Sequence, residues 1–195
     1  MANLRQNKIK KNRGIAAWIR ARFFPDRIVS SPKEIDFDAL AMRGFRIVLL
    51  DIDNTLAFHG SETGDDFAKT IVDRVSAAGL CPVIVSNARL ERAQTYADSL
   101  GISFIAHARK PGIENICRDL EHRECPCENA LMVGDQLITD VWFARRAGIP
   151  VILTERRSPH ELITVRVKRP LESLLIILGG RSHWNDLKGV SDDRL

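Results

Sequence analysis

The residues of this chain best suited to chemistry are two carboxylates separated by one position. In "LLDIDNTLA" (residues 49–57), Asp51 and Asp53 close an apolar run, "FRIVLL". Carboxylates repel each other and solvate well, so a pair at the tip of a buried strand calls for a cation or a reaction. Further along, Ser86 and Asn87 follow "CPVIV", Lys110 lies in "ARKPG", Gly134 and Asp135 follow "ALMV", and Asp140 comes soon after. If these meet, Asp51, Asp53, Asp135 and Asp140 form a strongly negative pocket that needs a counter-ion. Mg²⁺ suits it, as a hard cation that takes carboxylate and carbonyl oxygens and usually accompanies phosphate. Lys110 adds a positive point charge and Ser86 a hydroxyl donor, both apt for phosphate oxygens. One carboxylate can then attack phosphorus while a second handles protons.

The elements that must position these residues read as strands and helices in alternation. "FRIVLLD" (45–51), "CPVIVSN" (81–87), "SFIAHA" (103–108), "ALMVGD" (130–135) and "IPVILT" (149–154) are nearly continuous apolar runs, the pattern of strands buried on both faces. Between them, "DFAKTIVDRVSAAG" (66–79), "RLERAQTYADSLG" (89–101), "GIENICRDLEH" (112–122) and "TDVWFARRAG" (139–148) read as helices, three of them closed by glycine. This order predicts an α/β fold, a Rossmann-like parallel sheet with helices on both faces. Ligands of such sheets bind outside the carboxyl ends of the strands, so the polar residues named above should converge on one edge.

"DIDNT", "VSN", "RKP" and "GDQLITD" resemble the four motifs of the haloacid dehalogenase (HAD) superfamily of phosphatases, in order and at plausible spacing. The wording is similar to the YqeG-type branch of subfamily IIIA, whose relatives include phosphatidylglycerophosphate phosphatases. The likeness covers Phe45 to Thr154 and continues weakly to about residue 178. It implies that Asp51 is the nucleophile of an aspartyl-phosphate and Asp53 the acid, then base, whose backbone carbonyl faces the metal. It implies that Thr55 supports the turn and that Ser86 and the Asn87 backbone hold the phosphoryl group. Lys110 would bridge that group and the nucleophile, Asp135 would ligate Mg²⁺, and Asp140 would act through a second layer or a water. Family members acting on small metabolites often insert a cap domain. Here the gap Leu56 to Gly79 has room for a flap and one helix, and Arg89 to Arg109 for one helix and one strand, so no cap is expected.

Plainer roles exist for each residue. Acidic groups at strand ends form turns and caps, Ser86 and Asn87 could cap the helix at Arg89, and Asp140 could face its own helix dipole. A lone DxD or GD says little, whereas four motifs at four strand ends say much. His59 and His107 are assigned no role, and Cys125-Pro-Cys127 reads as a turn.

The chain has 195 residues, 45% hydrophobic, enough for one core with appended sequence. Four cysteines with no completing cluster read as reduced thiols in a cytosolic protein. Residues 1–27 hold eight Lys or Arg (Arg5, Lys8, Lys10, Lys11, Arg13, Arg20, Arg22, Arg27) against Asp26, about +7, while the chain totals +4. That divides the chain into a basic arm (1–44), a HAD-like core (45–155) and a basic and apolar extension (156–195), which includes Arg156, Arg157, Arg166, Lys168 and Arg169 before "LLIIL". In the arm, Ile15, Trp18, Ile19 and Phe23 recur at helical spacing, which fits an interfacial helix on an anionic membrane, or a helix packed on its own core. No signal peptide or spanning segment is read, so the expected location is cytoplasmic, peripheral on the inner face of a membrane. The expected activity is Mg²⁺-dependent phosphomonoester hydrolysis through phospho-Asp51, with phosphatidylglycerophosphate converted to phosphatidylglycerol. The partner is then a lipid head group, with nucleic acid less favoured. Alternatives are a phosphatase of a soluble metabolite or nucleic-acid end, and a non-catalytic phosphate- or RNA-binding module.

Overall fold

The computed structural model describes residues 14–105, 108–157, 163–191 and 195, with side chains from 163 to 169 also outside the description. His107 and the arm charges Arg5, Lys8, Lys10, Lys11 and Arg13 lie outside the described residues, as do the side chains of Arg166, Lys168 and Arg169. Helix α1 covers residues 14–23. There follow β1 (Arg27–Val29), α2 (Phe37–Met42), β2 (Ile47–Leu50), α3 (Asp66–Ala77), β3 (Cys81–Ile84), α4 (Leu90–Leu100), β4 (Ser103–Phe104), α5 (Glu114–His122) and β5 (Ala130–Gly134). A π-helical segment, Leu137–Trp142, runs into α6 (Phe143–Ala147), then come β6 (Val151–Thr154), α7 (Ile163–Gly179) and α8 (Arg181–Asp186).

The six strands are parallel, in the order β1-β6-β5-β2-β3-β4. Strand β2 lies inside the sheet, so all four of its residues are buried and its side chains alternate between two cores. Val48 and Leu50 join the core under α3 and α4, while Ile47 and Leu49 join the one under α5 and α6. Chain order runs outward from β2 through β3 to β4, then returns to β5 on the other side of β2. That reversal is a topological switch point, the place where open α/β sheets hold ligands.

Helix boundaries follow local chemistry. The Asp65 carboxylate accepts from the Ala68 N–H at the start of α3, and α4 ends at Gly101 with φ of 68°, a conformation that favours glycine. Between β2 and α3 there is only a loop, and between β3 and β4 only α4, so neither expected cap position carries an inserted domain.

The periphery differs from the linear reading. The sixth strand comes from within the stretch read as an arm: β1 pairs with β6, and the Asp26 carboxylate accepts the Val151 N–H at 2.8 Å and pairs with Arg145 at 2.9 Å. A three-residue strand is too short to show a period, so edge pairing alone reveals it. The stripe on α1 is divided. Ile19 is buried, Phe23 meets Trp142 at a tilt with centroids 5.6 Å apart, and Ile15 and Trp18 are exposed. Phe24 is buried against Trp184 in α8, 5.1 Å between ring centroids, and Arg20 donates to the Gly179 carbonyl at 2.7 Å. No described helix is long and apolar enough to cross a membrane.

Candidate active site

Asp51 directly follows β2, and its N–H still donates to the Val133 carbonyl of β5 at 3.0 Å, so the sheet ladder fixes its backbone. The next residues turn sharply, with the Thr55, Leu56 and Ala57 N–H groups all donating to the Ile52 carbonyl. Asn54 takes φ of 61°, which Asn tolerates better than most residues. Ser86 follows β3, and its hydroxyl accepts from the Ala88 N–H at 3.2 Å. Neither Ser86 nor Asn87 caps α4, whose N-cap is Arg89. The Asn87 side chain instead clamps the Lys110 backbone, accepting from its N–H at 2.7 Å and donating to its carbonyl at 2.8 Å. Through that clamp the loop after β3 sets the position of the lysine beyond β4.

Lys110 is buried, and its ammonium donates to Asp51 Oδ1 and Asp140 Oδ1, each at 2.6 Å. Such a charge is tolerable in a protein interior only with close partners. Burial would depress the ammonium's proton affinity, but Asp140 and Asp51 outweigh burial and raise it above the ordinary lysine range. Asp140, fully buried in the π-helical segment, also accepts the Gln136 N–H at 3.0 Å. Gly134 makes this possible, because a Cβ there would meet the Asp140 Cγ at 2.4 Å.

Asp135 lies beside them. One oxygen, Oδ2, pairs with Arg156 at 3.1 Å, while Oδ1 is buried with no hydrogen-bond partner. Oxygens of Asp51, Asp135 and Asp140 lie within 4.8 Å of one another, so the trio could hold a metal ion. The orphaned Asp135 oxygen and the all-carboxylate donor set fit a hard divalent cation. Burial, opposed by Lys110 and reinforced by Asp140, pushes the Asp51 carboxyl up to about 7. Burial, with Asp140 and Asp51 adding to it, pushes Asp135 up to about 8. A divalent cation among the three would reverse both shifts by stabilising the anionic forms.

Asp53 points to the rim. Both of its oxygens accept from the Arg92 guanidinium, at 2.7 and 2.8 Å, Oδ1 also accepts from the Gly60 N–H, and His59 Nδ1 lies 3.3 Å away. Burial pushes this carboxyl up, but the Arg92 and Gly60 hydrogen bonds prevail and hold it below the usual range. Asp51, Asp53, Ser86, Asn87 and Lys110 line one open cavity of about 270 Å³, joined by His59 and Arg92. Asp135 and Asp140 sit just behind it, against Asp51. The structure thus brings the seven expected site residues to one sheet edge. It adds His59, which had been assigned no role, Arg92, which the sequence did not single out, and Arg156, which was read only as part of the basic cluster in the extension. Arg92 occupies the first turn of α4 and would have stood out only as a cation immediately after the "VSN" corner.

A parallel sheet with buried acids, a paired lysine and a hydroxyl at its switch point defines a HAD-like α/β enzyme site. The family described as mitochondrial PGP phosphatase matches residues 16–156, and the chain belongs to it. It is a phosphatase of the HAD type. The chain is 29% identical over 154 residues to the "Probable phosphatase YqeG" of Bacillus subtilis, covering 79% of this chain and 90% of that protein. It is 31% identical over 149 residues to the chloroplastic phosphatidylglycerophosphate phosphatase 1 of Chlamydomonas reinhardtii, covering 69% of this chain and 55% of that one. A third relative, the chloroplastic/mitochondrial phosphatidylglycerophosphate phosphatase 1 of Arabidopsis thaliana, is 28% identical over 162 residues, 78% of this chain and 47% of its own. The chain therefore spans about half the length of these last two relatives.

Proposed function

We propose that the chain hydrolyses a phosphomonoester through an aspartyl-phosphate on Asp51, with Mg²⁺ as cofactor and phosphatidylglycerophosphate as substrate. The observation that carries this reading is Lys110 held between Asp51 and Asp140, beside an Asp135 oxygen with no partner. Asp51 Oδ2 attacks phosphorus and the bond to the leaving oxygen breaks. Asp53, which must take up a proton on substrate binding because Arg92 and Gly60 otherwise hold it ionised, passes that proton to the departing alkoxide. Asp53 then takes a proton from water as that water attacks phosphorus, which returns the Asp51 carboxylate and releases inorganic phosphate. Ser86, Asn87 and Lys110 hold the non-bridging oxygens. Asp51, the Asp53 carbonyl and Asp135 would hold the metal ion, with Asp140 behind them, and the bound ion would neutralise charge on the phosphoryl group.

The lipid substrate draws support from the two relatives named as phosphatidylglycerophosphate phosphatases and from the open, uncapped cavity. A membrane surface as the site of action draws support from exposed Ile15 and Trp18 on α1 and Leu171, Leu174, Ile177 and Leu178 on α7. The Arg22 guanidinium lies 4.4 Å from the Trp18 ring centre, so a cation accompanies the apolar group. The test is phosphate release from p-nitrophenyl phosphate, with and without Mg²⁺, beside phosphatidylglycerophosphate in mixed micelles. Mg²⁺-dependent release from both is expected. Equal release after chelation would remove the metal, and release from the aryl ester alone would remove the lipid substrate.

A further inference from the structure

Arg92 is the cation in the cavity that the phosphoryl-handling set does not use. Lys110 is engaged with Asp51 and Asp140, deep behind the site of attack. Arg92 stands at the rim, its side chain 20% exposed, and its Nε donates to the Ser61 carbonyl at 2.9 Å. That contact anchors the base of the fork and leaves its two terminal nitrogens aimed at Asp53. Both Asp53 oxygens, the groups that would handle the leaving oxygen's proton, are thus engaged by one guanidinium. Because Arg92 touches the proposed acid directly, a group a few bonds beyond a leaving oxygen held at Asp53 would come within its reach. A planar guanidinium fork matches a phosphate or carboxylate through two parallel hydrogen bonds, and it can exchange one such partner for another.

We propose that Arg92 is a subsite for a second anionic group on the leaving side of the substrate. Binding that group draws the guanidinium off Asp53 and frees its carboxyl to face the leaving oxygen. This rests on the phosphatase reading above and adds a selectivity to it. The preferred substrate is a phosphomonoester bearing a second phosphate a few bonds beyond the scissile one. A phospholipid head group has that chemistry through its phosphodiester, and so does a soluble two-phosphate ester.

The test compares kcat/KM of the full chain with Mg²⁺ on four substrates. Glycerol 3-phosphate and p-nitrophenyl phosphate carry one phosphate. Glycerophosphoglycerophosphate, the deacylated head group, and phosphatidylglycerophosphate in mixed micelles carry two. The two-phosphate esters should exceed glycerol 3-phosphate by on the order of 10²-fold, the worth of a charge-assisted pair. In Arg92→Gln that ratio should fall to near one, and Arg92→Lys, which keeps the charge but loses the fork, should lie between. A ratio taken within one variant is insensitive to how much of it folds, and the wild-type ratio needs no variant. No preference in the wild type, or an unchanged ratio in Arg92→Gln, overturns the subsite. So does a preference confined to the micellar lipid, since the surface and not the anion would then be read. Hydrolysis of none of the four, p-nitrophenyl phosphate included, would instead sink the phosphatase reading itself.

Discussion

At the carboxyl edge of the sheet, the charged side chains of Asp51, Lys110, Asp135 and Asp140 are buried, while across α1 and α7 six large apolar side chains, from Ile15 to Leu178, face solvent. Each region departs from the ordinary sorting of residues, in opposite directions. At the edge the departure is compensated in place: the lysine is bridged by two carboxylates at 2.6 Å, and one further carboxylate oxygen remains available to a cation. On the helices the same elements contain both kinds of apolar residue. Ile19 is buried beside exposed Trp18, and Ile176 packs on the core beside exposed Ile177. An amphipathic helix with apolar groups on two sides is holding more than its own core requires. The difference matches the proposed function, in which the buried charges carry the chemistry and the exposed apolar surface carries the membrane contact.

Substitutions in the two regions should therefore separate activity from stability and from surface binding. The largest effect should come from Asp51→Asn, which removes the nucleophile: a loss of more than about 10⁴-fold in kcat on p-nitrophenyl phosphate, with the circular dichroism of the fold retained. A residual tenth of wild-type activity would end the phospho-aspartate reading. Asp53→Asn should cost about 10²–10⁴-fold, most with alkyl esters and least with aryl ones, because good leaving groups need little protonation. An equal loss on both would make Asp53 a positioning group. Phe24→Ala should leave kcat on the aryl ester near wild type but lower unfolding free energy by roughly 3–5 kcal/mol in urea titration, because it empties the contact with Gly179 and Trp184. An unchanged midpoint would place Phe24, just beyond α1, outside the folded core. The smallest stability effect, within about 0.5 kcal/mol, belongs to exposed Trp18→Ala. That variant should instead sediment less with anionic vesicles, and unchanged sedimentation would remove α1 from the membrane contact.

Much of this architecture was legible in the sequence. Five strands and four helices are where the apolar runs and glycines placed them, with ends shifted by a few residues, as in the strand read over 103–108 and observed at Ser103–Phe104. Asp140 shows a limit of that reading. Its acid and its place after "GD" were visible, but its partnership with Lys110 spans thirty positions of chain and depends on Gly134 leaving it room. Helix α7 was read only as an apolar stretch, because a Pro at position 170 and a mixed pattern obscure its period.

By itself, then, the sequence determined a parallel α/β sheet and the strand ends at which its reactive groups stand. Both follow from local causes: apolar periodicity, glycine conformations, and the rule that parallel strands present all their carboxyl ends on one side. Tertiary structure alone decided that Arg92 holds Asp53, that Asn87 clamps Lys110, that β1 completes the sheet, and which half of the α1 stripe is buried. These depend on what lies across from a residue in space. Sequence pattern constrains which face a side chain joins, and only packing selects the group it meets there.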